Sequence, residues 1–391
     1  MALVVELLLF TWTPLQGQVL NGIDSLVKSS FKPLEGLRVG LITNHSGLAR
    51  NGKSTIDLLH AAPNLKLIKL FSPEHGIRGT AEGKIGDALD PKTGLKIHSL
   101  YGASRKPVPA TLRDIDALVF DIQDIGCRFY TYISTMGNCM EAAMAAKVKF
   151  FVLDRVNPIG GKLFEGPLLD GKRTFTGYHE IPIRHGMTTG ELARLFHQER
   201  FSHLDLTVVP VGNWHRGQIF SDTGLRWVNP SPNIRNLKAA ILYPGVGLLE
   251  FTNLSVGRGT DRPFELVGAP YINAKELTAE LNRARLAGVA FMPAAFTPNA
   301  SKFKGQACGG THIHLIDPHS RTVELGITLA LALRKLYPKQ WDVTNLDKLL
   351  AHPASAKAIL SGGSLPKIRA SWQDDLSAFA RRRSRALIYG D

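Results

Sequence analysis

The sequence predicts an α/β protein with a parallel sheet in its N-terminal part and a smaller α+β domain at its C-terminal end. The first observation behind this prediction is the alternation of short apolar runs with helical patterns, which favours parallel strands joined by crossover helices. The second is the composition, since 391 residues with 44% hydrophobic and 20% charged side chains are typical of a globular chain long enough for two domains. We expect the first domain to close near residues 235–240.

Apolar runs and helical patterns define the expected elements of the first domain. A long polar, glycine-rich loop over the strand ends is expected at 80–94, and Ser54 and Thr188 are suitable helix N-caps. Strands are predicted at 38–43, 65–71, 117–122, 150–153 and 206–211, with a short extended segment at 95–100. Helices are predicted at 54–62, 134–146 and 188–199.

Polar or ionisable residues follow directly after four of the predicted strands. Because the C-terminal ends of parallel strands lie at one edge of a sheet, we expect these residues to converge there, where open α/β folds bind ligands. Any single aspartate among them is better explained by a turn cap or an arginine partner, but the whole set predicts a site. Its members are Asn44, Glu74, His75, Asp121, Asp124, Asp154 and Arg155.

The segment around Glu74 is the centre of this prediction. A buried strand is expected to stop at Pro73, so Glu74 and His75 come just after it, at the rim of the sheet. Gly76 and Gly79 allow the backbone to turn there without side-chain clash. A carboxyl group at a partly dry strand end can have its pKa raised, which suits a general acid.

The C-terminal part is predicted to mix helices and strands. The loop Gly257-Arg258-Gly259 lacks the features of a P-loop, and we interpret it as presenting Arg258 to an anionic or carbonyl oxygen. His312 and His314 have no acidic or cysteine partner nearby in sequence, so surface positions are favoured over a metal pair. Helices are expected at 274–286, 323–336, 346–360 and 368–385, and strands at 289–296 and 311–316.

Charge and cysteine content limit the classes of partner. A net charge of +14 is compatible with nucleic acid, an acidic lipid surface, an acidic glycan or merely a basic surface. No zinc finger, RNA-recognition signature or basic zipper occurs, so nucleic acid is not expected. Three cysteines without metal-ligand spacing predict neither a disulfide framework nor a bound metal. Residues 1–10 are apolar like the core of an export signal but lack a basic start, and no other stretch is long enough to span a membrane.

A series of short motifs occurs in a fixed order along the chain. Each motif is weak alone, but the ordered series resembles the NamZ-like exo-β-N-acetylmuramidases, a glycoside hydrolase family long catalogued as a domain of unknown function. The resemblance covers about residues 20–391. The motifs are ITNHSG (42–47), FSPEHG (71–76), DIQDIG (121–126), RFYTY (128–132), DRVNP (154–158), PIRHGMT (182–188), SPN (231–233) and LSVGRGT (254–260).

The resemblance implies a fold, an activity and a location. After an apolar segment at 1–20, it implies a Rossmann-like catalytic domain at 21–238 and an α+β domain at 239–391, with the active site in the cleft between them. It also implies an enzyme without a cofactor that removes N-acetylmuramic acid from the non-reducing ends of peptidoglycan fragments. Its partners would be muramyl saccharides, and its location would be the periplasm or the exterior of the cell.

The candidate catalytic residues are carboxylates. Glycoside cleavage needs an acid that protonates the leaving oxygen and usually a second carboxylate, either as nucleophile or to activate water. Glu74 is the predicted acid, with His75 as its polar neighbour. Either Asp124 or Asp121 is the predicted partner. Alternatively, the acetamido oxygen of the sugar attacks, and one aspartate only orients it.

The candidate substrate-binding residues are of two kinds. Arg128, Arg155 and Arg258 are candidates for the lactyl carboxylate that distinguishes muramic acid from glucosamine, because a planar guanidinium matches a carboxylate bidentately. The side chains expected to hold sugar hydroxyls are Tyr130, Asn157, His185 and Asn233, and the set is completed by Asn44 and Asp154.

Two other functions are compatible with the sequence. A non-catalytic binder of cell-wall glycans would use the same surface, with Glu74 and the aspartates in structural roles. A phosphate-ester hydrolase on a Rossmann-like sheet would need a metal, and it is disfavoured because neither a Gly-x-Gly-x-x-Gly turn nor a P-loop is present.

Overall fold

The computed structural model describes residues 17–73, 76–77, 88–100 and 105–391. Within these residues, strands and helices alternate in the first half of the chain and helices gather towards its end. The strands are β1 (Arg38–Thr43), β2 (Lys66–Ser72), β3 (Ala88–Leu89), β4 (Lys96–Ser99), β5 (Ala117–Asp121), β6 (Lys149–Leu153), β7 (Glu165–Leu168), β8 (Pro182–Arg184), β9 (Leu206–Val209), β10 (Leu266–Ala269), β11 (Val289–Phe296) and β12 (Cys308–Leu315). The helices are α1 (Gly22–Lys28), α2 (Thr55–His60), α3 (Tyr132–Ala146), α4 (Thr189–Arg200), α5 (Leu237–Val246), α6 (Ala274–Arg283), α7 (Thr322–Leu336), α8 (Asp347–Leu350), α9 (Pro353–Leu360), α10 (Leu365–Ala370) and α11 (Gln373–Ser384).

Seven of the described strands form one sheet, in the order β3-β4-β2-β1-β5-β6-β9. Every neighbouring pair from β4 to β9 is parallel, and only the short edge strand β3 runs antiparallel to its neighbour. The predicted α/β class with a Rossmann-like parallel sheet is therefore confirmed. Because the strands are parallel, the C-terminal ends of β1, β2, β5 and β6 lie at one edge of the sheet.

Helices cover both faces of this sheet. Neighbouring residues of β5 show the division, since Val119 packs in an apolar cluster with Ile23 of α1 and Ile56 of α2. Phe120 points to the other face and packs in a second cluster with Met136 of α3. Both β5 residues are almost completely buried, as expected for a central parallel strand covered on two sides.

The C-terminal part packs directly on the N-terminal part. It contains a three-stranded antiparallel sheet in the order β10-β12-β11, and α5 packs against α7. The cluster that holds Phe120 continues through Ile241 of α5 and Leu325 of α7, so one apolar core runs from the large sheet into the second domain. The domain boundary between residues 238 and 239 stays a prediction.

Two of the predicted C-terminal helices are wrong in extent. The stretch 346–360 forms α8 and α9, because Ala351 has a left-handed φ of 45° and Pro353 then begins a new helix. The stretch 368–385 likewise divides into α10, which begins earlier at Leu365, and α11. Both errors arise at a turn that divides one predicted helix into two.

Helix α5 is not predicted from the sequence patterns. Pro244 lies inside this helix, where a proline normally indicates a helix end, and burial of the helix in the core outweighs that preference. The predicted loop 80–94 lies outside the described residues as far as residue 87, and its last part carries β3. No helix in the described part of the chain is long and apolar enough to cross a membrane.

Candidate active site

The edge of the large sheet brings together five of the polar residues that follow its strands. All five are buried, with at most 5% of their surface exposed. Glu74 and His75, the predicted acid and its neighbour, lie outside the described residues. The five residues are Asn44 after β1, Asp121 and Asp124 at the end of β5, and Asp154 and Arg155 after β6.

Asp121 forms a buried ion pair with Arg155. Nε and Nη2 of Arg155 lie 2.5 and 3.0 Å from the two carboxylate oxygens, and the Thr55 hydroxyl also donates to Oδ2. Nη2 donates to the backbone carbonyl of Leu48 as well, at 3.0 Å. The pair therefore joins β5 to the loop after β6, and it leaves neither oxygen of Asp121 free for a sugar.

Asp124 differs from Asp121 in keeping an unused oxygen. Its Oδ2 accepts from the backbone N–H of Gly126 at 2.7 Å and lies 3.4 Å from Nε2 of His185. Nδ1 of His185 accepts from the backbone N–H of Met187, which leaves Nε2 as the nitrogen nearer Asp124, although Nε2 has no hydrogen-bond partner among the described residues. Oδ1 of Asp124 is buried and has no hydrogen-bond partner among the described residues, so it can accept from a water or a ligand.

Asn44 and Asn157 fix loops at this edge. Oδ1 of Asn44 accepts from the backbone N–H and the hydroxyl of Ser46, at 2.9 and 2.6 Å, whereas its buried Nδ2 has no partner in the described part of the chain. Asn157 donates to the carbonyl of Met187 and accepts from the N–H of Ile159. Asn157 thus fastens the loop after β6, while Asn44 retains a donor for another group.

Asp154 supports the start of α4. Its oxygens accept from the Thr188 hydroxyl and the backbone N–H of Gly190, both at 2.7 Å, and from the Tyr389 hydroxyl at 2.5 Å. Thr188 is the N-cap of α4, as its sequence position predicts, and accepts from the N–H of Glu191. Asp154 is completely buried, and burial raises its pKa to about 6. These contacts stabilise the start of α4, and they leave neither oxygen of the carboxylate available to a substrate.

Arg128 is committed to the protein backbone. The side chain is fully buried, and burial lowers its pKa to about 10. Because both Nη atoms are occupied, binding of a lactyl carboxylate does not fit the surroundings of this residue. The Nη atoms donate to four backbone carbonyls, those of Pro167, Ile181, Leu349 and Leu350.

A second group of predicted residues lines a cleft between the two parts of the chain. The cleft has a volume of about 240 Å³ and is lined by Tyr130 and Asn233 from the N-terminal part. Arg258 and Glu250 line it from the C-terminal part. The cleft therefore combines a phenol, an amide, a guanidinium and a carboxylate from segments far apart in sequence.

Aromatic rings form one wall of this cleft. Tyr130 meets Tyr132 and Tyr243 edge to face, with ring centroids 5.1 and 5.8 Å apart, and Tyr243 meets Phe264 at 4.8 Å. Burial raises the pKa of Tyr130, so its hydroxyl is a hydrogen-bond donor at neutral pH. Apolar ring surfaces with a few polar groups at their edges are typical of small-molecule sites.

Glu250 is a cleft residue that the sequence patterns miss. Its Oε1 lies 2.5 Å from Nε of Arg258, and both side chains line the cleft. Glu250 follows neither a strand nor a motif. The one signal in the sequence is an isolated charge in the apolar stretch 246–251, where a carboxylate needs a partner from elsewhere in the chain.

The described residues present carboxylate, amide, hydroxyl and guanidinium groups that can bind a ligand. They contain no group of three His, Cys, Asp or Glu side chains close enough to hold a metal ion. His312 and His314 lie side by side on β12, with ring centroids 4.1 Å apart. The three cysteines are free and buried.

Comparison with known proteins finds relatives over nearly the whole chain. The family model "Exo-beta-N-acetylmuramidase NamZ, N-terminal" matches residues 39–238, and its C-terminal counterpart matches residues 241–389. Peptidoglycan beta-N-acetylmuramidase NamZ of Bacillus subtilis (strain 168) is 44% identical over 379 residues, which are 95% of this chain and 92% of that protein.

Two crystal structures of DUF1343 family proteins from Bacteroides fragilis NCTC 9343 share the fold. One has a TM-score of 0.89 and 38% identity and covers 95% of this chain and 99% of its own. The other has a TM-score of 0.78 and 31% identity and covers 96% of this chain and 100% of its own. Since both family models match and together span most of the sequence, the chain belongs to the exo-β-N-acetylmuramidase NamZ family.

Proposed function

We propose that the protein is an exo-β-N-acetylmuramidase that releases N-acetylmuramic acid from the non-reducing ends of peptidoglycan fragments. The observation that carries this proposal is membership of the NamZ family in both domains, with 44% identity to a relative named as a peptidoglycan β-N-acetylmuramidase. The cleft between the domains supports it, because polar groups that can bind a sugar meet aromatic walls there.

Arg258 is the proposed ligand of the lactyl carboxylate. The Nη atoms of Arg128 and the Nε–Nη2 side of Arg155 are engaged inside the protein, whereas a third of the Arg258 side chain is exposed at the cleft. A guanidinium can bind a carboxylate through two parallel hydrogen bonds. Tyr130 and Asn233, which line the same cleft, are the proposed contacts of the sugar hydroxyls.

Glu74 is the proposed general acid, with His75 as its neighbour, and Asp124 is the proposed carboxylate partner. Glu74 follows β2 and Asp124 follows β5, and both strands adjoin β1. Asp124 is favoured over Asp121 because it keeps an oxygen without a partner in the described part of the chain. In this scheme Asp124 acts as the nucleophile, activates a water or orients the acetamido group of the sugar.

His185 is proposed to orient Asp124 rather than to hold a sugar hydroxyl. The ring is completely buried, and Nε2 lies 3.4 Å from Oδ2 of Asp124 without forming a hydrogen bond. This contact favours one orientation of the carboxylate, with Oδ1 as the oxygen left for chemistry. Asn44, whose Nδ2 has no described partner, is the proposed donor to the substrate at the end of β1.

The proposed place of action is the periplasm or the exterior of the cell, where peptidoglycan lies. The net charge of +14 supports this proposal, since it favours association with an acidic glycan. Cell fractionation with an antibody against the protein tests it. Recovery together with a cytosolic marker would contradict the proposal.

The activity is tested with a chromogenic β-N-acetylmuramide beside the matching N-acetylglucosaminide. We expect the wild type to release the chromophore from the muramide only. Glu74→Gln and Asp124→Asn are each expected to lower kcat by about 10²- to 10⁴-fold, the usual contribution of an acid–base group. Asp261→Asn is the matched control, because it removes a carboxylate whose side chain is 85% exposed.

Thermal unfolding of each variant separates a loss of chemistry from a loss of folding. A folded wild type that binds muramyl saccharides but releases the chromophore from neither substrate would favour the non-catalytic binder. Release from the glucosaminide alone would contradict the proposed substrate. Full activity of Asp124→Asn, with activity lost in a folded Asp121→Asn variant, would reverse the assignment of the partner.

A further inference from the structure

Glu250 and Arg258 form an ion pair inside the cleft, with Oε1 and Nε 2.5 Å apart. The Cζ atom of Arg258 also lies 5.4 Å from the centroid of the Phe264 ring. Nε of Arg258 is buried and has no hydrogen-bond partner among the described residues, so its contact with Glu250 is an ion pair, while 33% of the side chain is exposed. The Nη edge is therefore the part of the guanidinium that is left for a ligand.

The loop that carries Arg258 is packed tightly against neighbouring backbone. Gly257 and Gly259 both have a φ of 80°, a conformation that favours glycine. A Cβ atom at Gly259 would lie 2.2 Å from the carbonyl oxygen of Ala300, and one at Gly257 would lie 2.7 Å from that of Arg262. The backbone on either side of Arg258 thus has one well-defined position.

The backbone that carries Glu250 is fixed as well. Nζ of Lys302 donates to the carbonyl oxygen of Glu250 at 3.0 Å and to that of Thr252. Glu250 itself follows a short helical turn at Gly247–Leu249 that is completely or almost completely buried. Both partners of the ion pair therefore project from backbone that cannot move independently of the core.

Fixing an arginine before the ligand arrives makes its binding more favourable. A free arginine loses rotamer freedom when it binds a carboxylate, whereas one already held by an ion pair has lost much of that freedom beforehand. The negative charge of Glu250 acts in the opposite direction, because it repels an incoming carboxylate. Removing Glu250 therefore raises KM if its main effect is to orient Arg258, and lowers KM if its main effect is to repel the ligand.

We propose that Glu250 is a positioning residue that holds the Arg258 guanidinium with its Nη edge towards the cleft, so that a sugar carboxylate is bound through two hydrogen bonds. This inference rests on the proposed function, since it takes the lactyl carboxylate as the ligand of Arg258. Glu250 needs no contact with the substrate in this role. It acts on substrate selection through Arg258 and leaves the chemical step to other residues.

The experiment compares two chromogenic substrates, the β-N-acetylmuramide and its uncharged lactyl amide. Glu250→Gln is expected to raise KM for the acid by about tenfold, the scale of one charge-assisted hydrogen bond, with kcat close to the wild-type value. KM for the amide is expected to stay unchanged. Glu250→Asp, which keeps the charge but withdraws it by one methylene, is expected to give a smaller rise and provides a second variant if Glu250→Gln fails to fold.

A double-mutant cycle tests whether Glu250 acts through Arg258. With Arg258→Ala already present, Glu250→Gln is expected to cause no further change in KM for the acid. Asp261→Asn is the control from the same loop, since it removes an exposed carboxylate outside the pair, and it is expected to leave both KM values unchanged. If Glu250 had a merely structural role, Glu250→Gln would instead change KM for both substrates, whether Arg258 is present or replaced.

Two results would overturn the inference while leaving the proposed function intact. One is an equal change for the acid and the amide in Glu250→Gln, and the other is a lower KM for the acid, which would mean that repulsion dominates. A folded wild type that hydrolyses neither substrate would contradict the proposed function itself. The two kinds of failure are therefore distinguishable in the same set of assays.

Discussion

Replacing Arg155 by methionine is expected to destabilise the fold without weakening substrate binding. The substitution keeps most of the buried hydrocarbon but removes the contacts of Nε and Nη2 with Asp121, at 2.5 and 3.0 Å. Asp121 is left completely buried, with Thr55 as its remaining described side-chain donor. Breaking a buried ion pair from one side costs about 3–5 kcal/mol, because the charge of the other partner is no longer compensated.

A second substitution checks that the lost stability comes from the charge left on Asp121. Asp121→Asn, added to Arg155→Met, replaces the uncompensated carboxylate by a neutral group of the same shape. The double variant is therefore expected to be more stable than Arg155→Met alone, with a coupling energy between the two sites of about 0.5–3 kcal/mol. If the effects of the two substitutions on the free energy of unfolding simply add, the two side chains do not stabilise each other.

Thermal unfolding and kinetics on the muramide together decide the role of Arg155. At roughly 2 °C per kcal/mol for a chain of this size, the expected loss corresponds to a Tm lower by about 6–10 °C. KM, measured well below that Tm, is expected to equal the wild-type value. A Tm within about 2 °C of the wild type, combined with a KM raised about tenfold, would refute this reasoning and return Arg155 to the candidates for the lactyl carboxylate.

Two further predictions concern buried groups outside the cleft. Arg128→Met leaves four backbone carbonyls without their donor and is expected to lower the free energy of unfolding by at least about 3 kcal/mol in a denaturant titration; a raised KM at unchanged stability would contradict this. Burial raises the pKa of Asp154 from 3.8 to about 6, so its contribution to stability is fully present below about pH 4 and is lost as the pH rises through 6. The wild type should therefore lose stability relative to Asp154→Asn as the pH rises from 4 to 6, and the difference in free energy of unfolding should level off above that range. A difference independent of pH would contradict the raised pKa. Glu165, whose pKa burial raises to about 7, contributes equally to both proteins and cancels in this comparison.

The location of the sheet-edge residues can be predicted from the sequence because strand direction alone determines it. Once β1, β5 and β6 are recognised as parallel, the residues that follow them must lie at one edge. Asn44, Asp121 and Asp154 are brought together for this reason. The prediction needs no knowledge of any side-chain contact, which is why periodicity and turn residues were sufficient for it.

The role of each residue at that edge could not be predicted in the same way. Asp121 pairs with an arginine 34 residues away, and Asp154 accepts from Tyr389, 235 residues away. Nη2 of Arg128 donates to the carbonyl of Leu350, 222 residues away. Such partners are selected by the packing of loops and by the approach of the two domains, neither of which leaves a periodic pattern in the sequence.

The same limit applies to the cleft. The Gly-Arg-Gly spacing predicts a loop that presents Arg258 to an anionic or carbonyl oxygen, because glycines on both sides allow a sharp turn. The spacing does not reveal that Glu250 lies against Nε of that arginine. Local backbone conformation is encoded by neighbouring residues, whereas an ion pair across a cleft depends on the position of two separate segments.

Hydrogen bonding inside the protein distinguishes Asp121 and Asp154 from their neighbours Asn44 and Asp124. The carboxylates of Asp121 and Asp154 are fully engaged, whereas Nδ2 of Asn44 and Oδ1 of Asp124 are buried without a described partner. A buried polar atom left unsatisfied costs about 1–3 kcal/mol, a cost that disappears when a ligand or a water supplies the partner. Because these two atoms belong to residues that follow the adjacent strands β1 and β5, a ligand that bound both would lie across the ends of those strands.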